Sequence, residues 1–270
     1  MLSDITLGQY FPASSVMHRM DARLKICLVV FSIVLIFTAG NFVSLAAAVL
    51  YIFLGIGLSK IPPKMYVKSL KPIVILLVFT AVLNLFYGTG EPLWQWGWIK
   101  ITKAGILNSI FISIRIVLLI LASSVLTYTT SPTQLTDAIE RLLRPLGKLH
   151  VPVHEFAMMM TIALRFVPTL LEETEKIMSA QKARGADMES GGIIQRIKAL
   201  VPVLIPLFVS AFRRAYELAT AMESRCYHGG EGRTKMKILH FGKIDWLSLA
   251  VAITVLGVFI TLNIVFPAVL

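Results

Sequence analysis

Five apolar runs, at residues 26–39, 42–58, 72–87, 106–128 and 246–266, are set off from one another by polar breaks. Each approaches the roughly 20 residues that a membrane-crossing helix needs. The first two are joined only by the uncharged turn Ala39-Gly40-Asn41, so they predict a hairpin of two helices. Arg115 lies inside the fourth run. An intramembrane Arg is a candidate functional residue, and the simpler reading pairs it with a backbone carbonyl or lets it snorkel.

Between the fourth and fifth runs the pattern changes from solid apolar blocks to stripes at helical spacing. "SPTQLTDAIERLLRPLGKL" opens with Ser131 as an N-cap and Pro132 at the first helical position, and it predicts a short amphipathic helix. A longer helix follows, with a stripe through Phe156, Met160, Ala163, Val167, Leu170, Thr174 and Ile177 at alternating steps of four and three, and with Pro168 as a kink. After Gly191-Gly192 a second stripe runs through Ile197, Val201, Leu204, Phe208, Ala211, Ala215, Leu218 and Met222, with Pro202 and Pro206 in its early turns. Arg165, Arg213, Arg214 and Glu217 interrupt or follow these stripes, which argues against two additional spans. The expected fold is all-α: a polytopic membrane protein of five transmembrane helices plus a cytoplasmic insert of amphipathic helices. Its parts are a four-helix membrane region at 1–128, the insert at 129–245 and a last transmembrane helix at 246–270.

Composition supports the membrane reading. Of 270 residues 56% are hydrophobic and 15% charged, with a mean hydropathy of +0.77, whereas soluble domains carry about 25% charged residues. Lys and Arg total 26 against 15 acidic residues, and 16 of the basic residues fall in the insert. In so apolar a chain this excess indicates topology and inner-leaflet contact before nucleic-acid binding. Arg19, Arg23 and Lys25 precede the first run, and Lys60, Lys64, Lys68 and Lys71 fill the segment between the second and third. By the positive-inside rule those regions and the insert are cytoplasmic, the N-terminus is inside and the C-terminus outside. Trp94, Trp96 and Trp98 on the opposite side read as an interfacial aromatic belt, with Lys100 and Lys103 as exceptions to the charge rule. Cys27 and Cys226 give no disulfide framework and are expected to be free thiols. The N-terminal stretch is too polar for a secretory signal peptide.

Both long helices end in a similar knuckle, with an Arg between small residues: Ala183-Arg184-Gly185 and Ser224-Arg225-Cys226. A basic side chain at a helix end is ordinary, because the last carbonyls are unpaired and carry partial negative charge, and Gly185 suits a left-handed C-terminal position. An exposed guanidinium with a planar fork of donors also suits docking into an acidic or carbonyl-lined groove of a partner.

Other chemistry is sparse. No GxxxxGK[ST] loop occurs, so nucleotide binding by a P-loop is not expected, and "HGGEGRT" reads as a flexible turn. His150, His154 and Glu155 approximate a metal-binding spacing, but Pro152 lies between the histidines and the HExxH order is missing, so no metal site is expected. No cysteine is paired with a base for nucleophilic catalysis, and no catalytic residue is assigned. A membrane enzyme would require clustered acidic or His residues at the membrane surface. A self-sufficient secondary transporter would require repeats among the spans.

"YFPASSVMHRMDARLKI", "ALRFVPTLLEETEKIMSAQKARGAD" and "AMESRCYHGGEGRT" together resemble the T component of energy-coupling factor (ECF) transporters, the membrane scaffold of a vitamin-uptake ABC system, over nearly the whole chain. The resemblance implies that the two long helices are crossed coupling helices. Their tips, at Ala183, Arg184, Gly185 and at Ser224, Arg225, Cys226, would dock one into each of two ABC ATPase subunits. The second motif departs from Ala-Arg-Gly at both small positions and keeps the Arg. It further implies that ATP and Mg are bound by those partners, that this chain has no cofactor of its own, and that the apolar outer helix faces hold small, exchangeable substrate-binding S subunits in a prokaryotic cell membrane. Met158, Met159, Met160, Met178 and Met222 fit a sliding surface, although a Met in a helix stripe is more often core filling. Specificity would reside in the S subunit. Riboflavin, folate, thiamine, biotin and a metal ion such as cobalt stay open as substrates, with a shared vitamin module favoured over a dedicated one.

Overall fold

In a computed structural model of the chain, residues 9–86, 92–96, 99–149, 151–186, 192–229 and 240–266 are described. The chain divides into two compact units: Gly8–Ala138 with Ile238–Leu270, and Ile139–Lys237 with Met1–Leu7.

In the first unit the short α1 (Val16–Arg19) precedes α2 (Ala22–Thr38), α3 (Phe42–Ser59) and α4 (Pro63–Leu70). Asp21 caps α2 by accepting from the Arg23 amide, and Asn41 caps α3 in a reciprocal box with Ser44, so the uncharged turn between them is held by polar side chains. Pro63 at the first helical position starts α4, and a 3-10 turn (Lys71–Ile73) joins it to α5 (Val74–Phe86). Lys64 and Lys68, which the hydropathy pattern leaves in a connecting segment, therefore stand on a helix.

Pro92–Trp96 (β1) and Ile99–Thr102 (β2) then pair antiparallel, from Pro92↔Thr102 to Trp96↔Ile99 with an irregularity at Pro92/Trp94. The segment between the third and fourth runs thus contains a pair of strands, since "PLWQW" and "IKIT" are short strand-compatible runs too polar to join a span. The hairpin delivers Thr102, whose hydroxyl caps α6 (Lys103–Thr129) by accepting from Gly105. α7 (Pro132–Leu143) begins with Ser131 and Gln134 bonding each other's amides, as the sequence signals. α10 (Lys243–Val265), which follows the second unit in sequence, completes the helices of the first.

Four helices among the described residues are long and apolar enough to cross a membrane: Phe42–Ser59, Pro63–Phe86, Lys103–Thr129 and Lys243–Val265. They cover four of the five expected runs, the third and fifth to within one residue. The first run, but for Ala39, lies in α2, which is 17 residues long.

The core sits between α2, α3 and α6, around Leu35, Ile36, Leu45, Phe111 and Leu118, each at most 2% exposed. Outward side chains such as Phe53, Ile75 and Ile253 are apolar and well exposed, as lipid-facing residues are. Arg115 donates to the Ala39 carbonyl at 2.7 Å and lies over the Phe111 ring, which is the carbonyl-paired reading.

α5 and α6 approach closely at Gly105, where an added Cβ would lie 2.7 Å from the Leu85 carbonyl oxygen. Nearby, Ser109 donates to Ala81. Gly105→Ala is expected to cost about 1–3 kcal/mol by overpacking. Thermal unfolding of the purified protein checks this, and an unchanged midpoint would mean that the two helices separate freely.

A charged cluster binds the starts of α2 and α10 to the end of α6. Asp245 Oδ1 accepts from the Asp21 amide at 2.9 Å and its Oδ2 from Gly242 at 2.8 Å. Asp21 pairs with Arg23 at 2.6 Å, and Arg23 stacks on Phe241. Lys25, 5% exposed, donates to the Thr129 carbonyl at 2.9 Å and to the Thr130 hydroxyl at 3.3 Å. Lys25 immediately precedes the first apolar run. At the other end of the same helices Asn263 donates to Thr38 and accepts from Gly40, and Asn41 donates to the Leu262 and Phe266 carbonyls. The two sets of contacts make α2 and α10 parallel neighbours.

Candidate functional site: two arginine-tipped helices

The second unit is built on α8 (Val153–Ala183) and α9 (Ile193–Glu223). Both continue as helices through their internal prolines, Pro168 in α8 and Pro202 and Pro206 in α9. Pro206 has no N–H to give the carbonyl four residues back, which belongs to Pro202. Gln181 of α8 supplies that bond from its side chain at 3.3 Å.

Further along, Glu173 accepts from Arg214 at 2.7 Å and from the Ser210 hydroxyl. Ile162, Phe166 and Leu170 face Ala211, Ala215, Leu218 and Met222 across a groove of about 290 Å³. Residues 181, 173 and 162 thus meet residues of increasing number on α9, so the helices are antiparallel and their C-terminal tips point in opposite directions. At 1.5 Å per residue the tips stand roughly 40 Å apart along the pair.

Each tip closes by the same hydrogen-bond pattern. At the end of α8 the Ala186 amide donates to Gln181 and the Gly185 amide to Lys182, both at 3.0 Å, with Gly185 left-handed at φ +84°. At the end of α9 the Tyr227 amide donates to Met222 at 3.1 Å and the Cys226 amide to Glu223 at 2.9 Å, with Cys226 left-handed at φ +57°. These are two Schellman turns, and each places its Arg immediately before the left-handed residue. Ala183, Arg184, Gly185, Ser224, Arg225 and Cys226 are all exposed. Among the described residues, neither the Arg184 nor the Arg225 side chain has a hydrogen-bond or ion-pair partner. The departure from Gly to Cys in the second motif therefore keeps the turn at a conformational cost. Cys226→Gly is expected to stabilise it by about 1 kcal/mol, seen as stronger hydrogen-exchange protection of the Tyr227 amide; unchanged protection would mean that the turn carries no strain.

The stripes meet the helix pair unevenly. Leu170, Ala211, Ala215, Leu218 and Met222 line the groove, and Val167, Thr174 and Ile177 are half-buried. Phe156, Met160 and Ala163 are exposed, as are Ile197, Val201, Leu204 and Phe208. In that part of α9 the inward line is Val203, Leu207, Ser210 and Arg214. Val201 to Phe212 is apolar on nearly every side, so periodicity gives little contrast there, and bonds from α8 coincide with a different face. Met158, Met178 and Met222 are half-buried and Met159 is exposed.

Glu173, Ser210 and Gln181 were not legible as a group. Their signal is an acidic residue three positions after Leu170, one of three in Glu172-Glu173-Thr174-Glu175, and a helical carbonyl orphaned by proline. His154 lies 3.0 Å from Glu140, while His150 and "GEGRT" fall outside the described residues. Cys27 and Cys226 are free thiols.

Fold and site define a multi-pass membrane protein that also carries a pair of long helices tipped by exposed arginines. The model of the CbiQ family, described as cobalt transport protein, matches residues 13–236. The chain is 54% identical to the energy-coupling factor transporter transmembrane protein EcfT of Acidaminococcus fermentans, over 92% of each chain. It is 50% identical to that of Ruminiclostridium cellulolyticum over 98% of this chain and all of the relative, and 47% identical to that of Bacillus subtilis over 88% and 91%. The chain belongs to this family of energy-coupling factor transporter transmembrane components.

Proposed function

We propose that the chain is the scaffold through which two ABC ATPase subunits drive reorientation of a small, exchangeable S subunit during uptake of a vitamin or similar micronutrient. The observation that carries this reading is the repeated Schellman turn, which presents one exposed arginine at each end of an antiparallel helix pair. Each guanidinium enters a groove on one ATPase. ATP and Mg are held and hydrolysed there, and this chain contributes no catalytic group or cofactor. When the ATPases move relative to each other, the tips move with them, and the Glu173–Arg214–Ser210 cluster acts as the pivot on which α8 and α9 swing. The exposed apolar residues around Phe156, Val201, Leu204 and Phe208 hold the S subunit. The chain then works in three parts: a membrane region at 1–128, the coupling insert at 129–245 and a last span at 246–270.

The test is affinity purification of the tagged chain in mild detergent with mass spectrometry, for wild type and the Arg184→Ala, Arg225→Ala double variant. Two ATPases and one or more small membrane proteins accompany the wild type, and the ATPases are lost from the variant. Equal recovery from both would reduce the tips to helix caps. A dedicated cobalt- or biotin-type module is the second reading, supported by the description of the matched family as cobalt transport; a single small partner, always the same, would establish it.

For topology we infer that α2 is the fifth span, because its start is tied to the start of α10 and its end to the end of α10. The N-terminus is then cytoplasmic and the C-terminus outside. In a Cys27→Ser background the exposed Cys226 should react with an impermeant maleimide in inside-out vesicles only. Labelling of intact cells would overturn this orientation.

A further inference from the structure

We propose that α4 and α5 form a binding surface for one anionic phospholipid, with the headgroup on a row of lysines and an acyl chain along the apolar helix face that continues from it. Lys60, Lys64, Lys68 and Lys71 succeed one another at steps of four, four and three, and all are exposed. Among the described residues none of them has an ion pair.

The opposite side of α4 is fixed. Tyr66, 4% exposed, bonds Ser59 at 2.9 Å, and Tyr128 of α6 donates to the Met65 carbonyl at 3.0 Å while its ring meets that of Tyr66 edge-on. The lysine face is thus held outward by packing behind it.

The apolar face beyond the lysines decides the occupant. α5 has no buried residue, and its exposed side continues with Ile75, Phe79 and Phe86, at 82, 60 and 44% exposure. The 3-10 turn at Lys71–Ile73 shifts the phase by a fraction of a turn, but the exposed face of α5 is wide enough to keep the path continuous. From Lys71 to Phe86 the path is about 22 Å at the helical rise, longer than the roughly 15 Å of hydrocarbon in one leaflet. An acidic protein would match the lysines and leave the apolar face below them uncovered. A free phosphate would do the same. A phospholipid satisfies both parts, and lysines next to a membrane helix attract anionic headgroups.

The test is native mass spectrometry of the purified full-length chain, titrated with phosphatidylglycerol or phosphatidylcholine of the same acyl chains. Wild type should bind the first at least tenfold more tightly. Each lysine contributes roughly fivefold, so Lys64→Gln, Lys68→Gln, Lys71→Gln should weaken phosphatidylglycerol on the order of a hundredfold. The corresponding Arg triple should retain it, which separates loss of charge from misfolding. Lys148→Gln, Lys176→Gln, Lys198→Gln, with the same change in net charge, should leave it unchanged. The proposal is overturned if the two lipids bind alike, if the control triple lowers binding equally, if inorganic phosphate at equal concentration displaces the lipid, or if the lysine row purifies covered by an acidic protein.

Discussion

Asp245→Ala should lower the stability of the membrane unit by about 3–5 kcal/mol, among the largest single-residue effects in the chain. Asp245 is 3% exposed, and its two oxygens hold the amides of Asp21 and Gly242. Its removal leaves the buried Asp21 amide and the part-buried Gly242 amide without their acceptor and takes an acidic group away from the buried Lys25. Asn in its place keeps one acceptor and should cost less. Lys25→Met should also cost less, since it removes the buried charge together with its need for a partner. The double change, Lys25→Met with Asp245→Asn, should be milder than the sum of the singles, as expected for residues in one network.

The second large effect falls on assembly. With one tip per ATPase, removing Arg184 or Arg225 singly should weaken retention of the ATPases by roughly thirtyfold, the scale of an interface arginine worth about 2 kcal/mol. The double change should abolish retention, because the second contact profits from the local concentration set by the first. ATP-driven uptake in vesicles should fall in parallel, while the Tyr227 amide keeps its protection because the Schellman turns use only backbone groups. Arg→Lys at either position should restore only part, since the ammonium lacks the planar fork. Full uptake by the double variant would remove the arginines from the coupling path.

The amino-acid sequence by itself determined the elements whose physical signal is local. Apolar runs bounded by lysines gave the membrane helices of residues 42–58, 106–128 and 246–266, because burial in lipid depends on length and composition and not on a particular neighbour. Ser131-Pro132, Asn41 and Gly185 marked helix ends, because capping is settled within four or five residues. The two arginine knuckles were visible for the same reason, and they end in one hydrogen-bond pattern despite Cys standing where Gly would be easier.

Only the tertiary structure decided what depends on residues far apart in the chain. Asp245 lies 224 positions from the amide that it holds, so it reads in sequence merely as a charge before a span. Glu173 finds Arg214 and Ser210 only once α8 and α9 lie antiparallel, and that pairing goes with an inward line of α9 at Val203, Leu207, Ser210 and Arg214 where the apolar periodicity was ambiguous. Local free energy fixes where a helix begins and ends. Which face it turns inward depends on partners that come from far along the chain, as Glu173 does for Ser210 and Arg214.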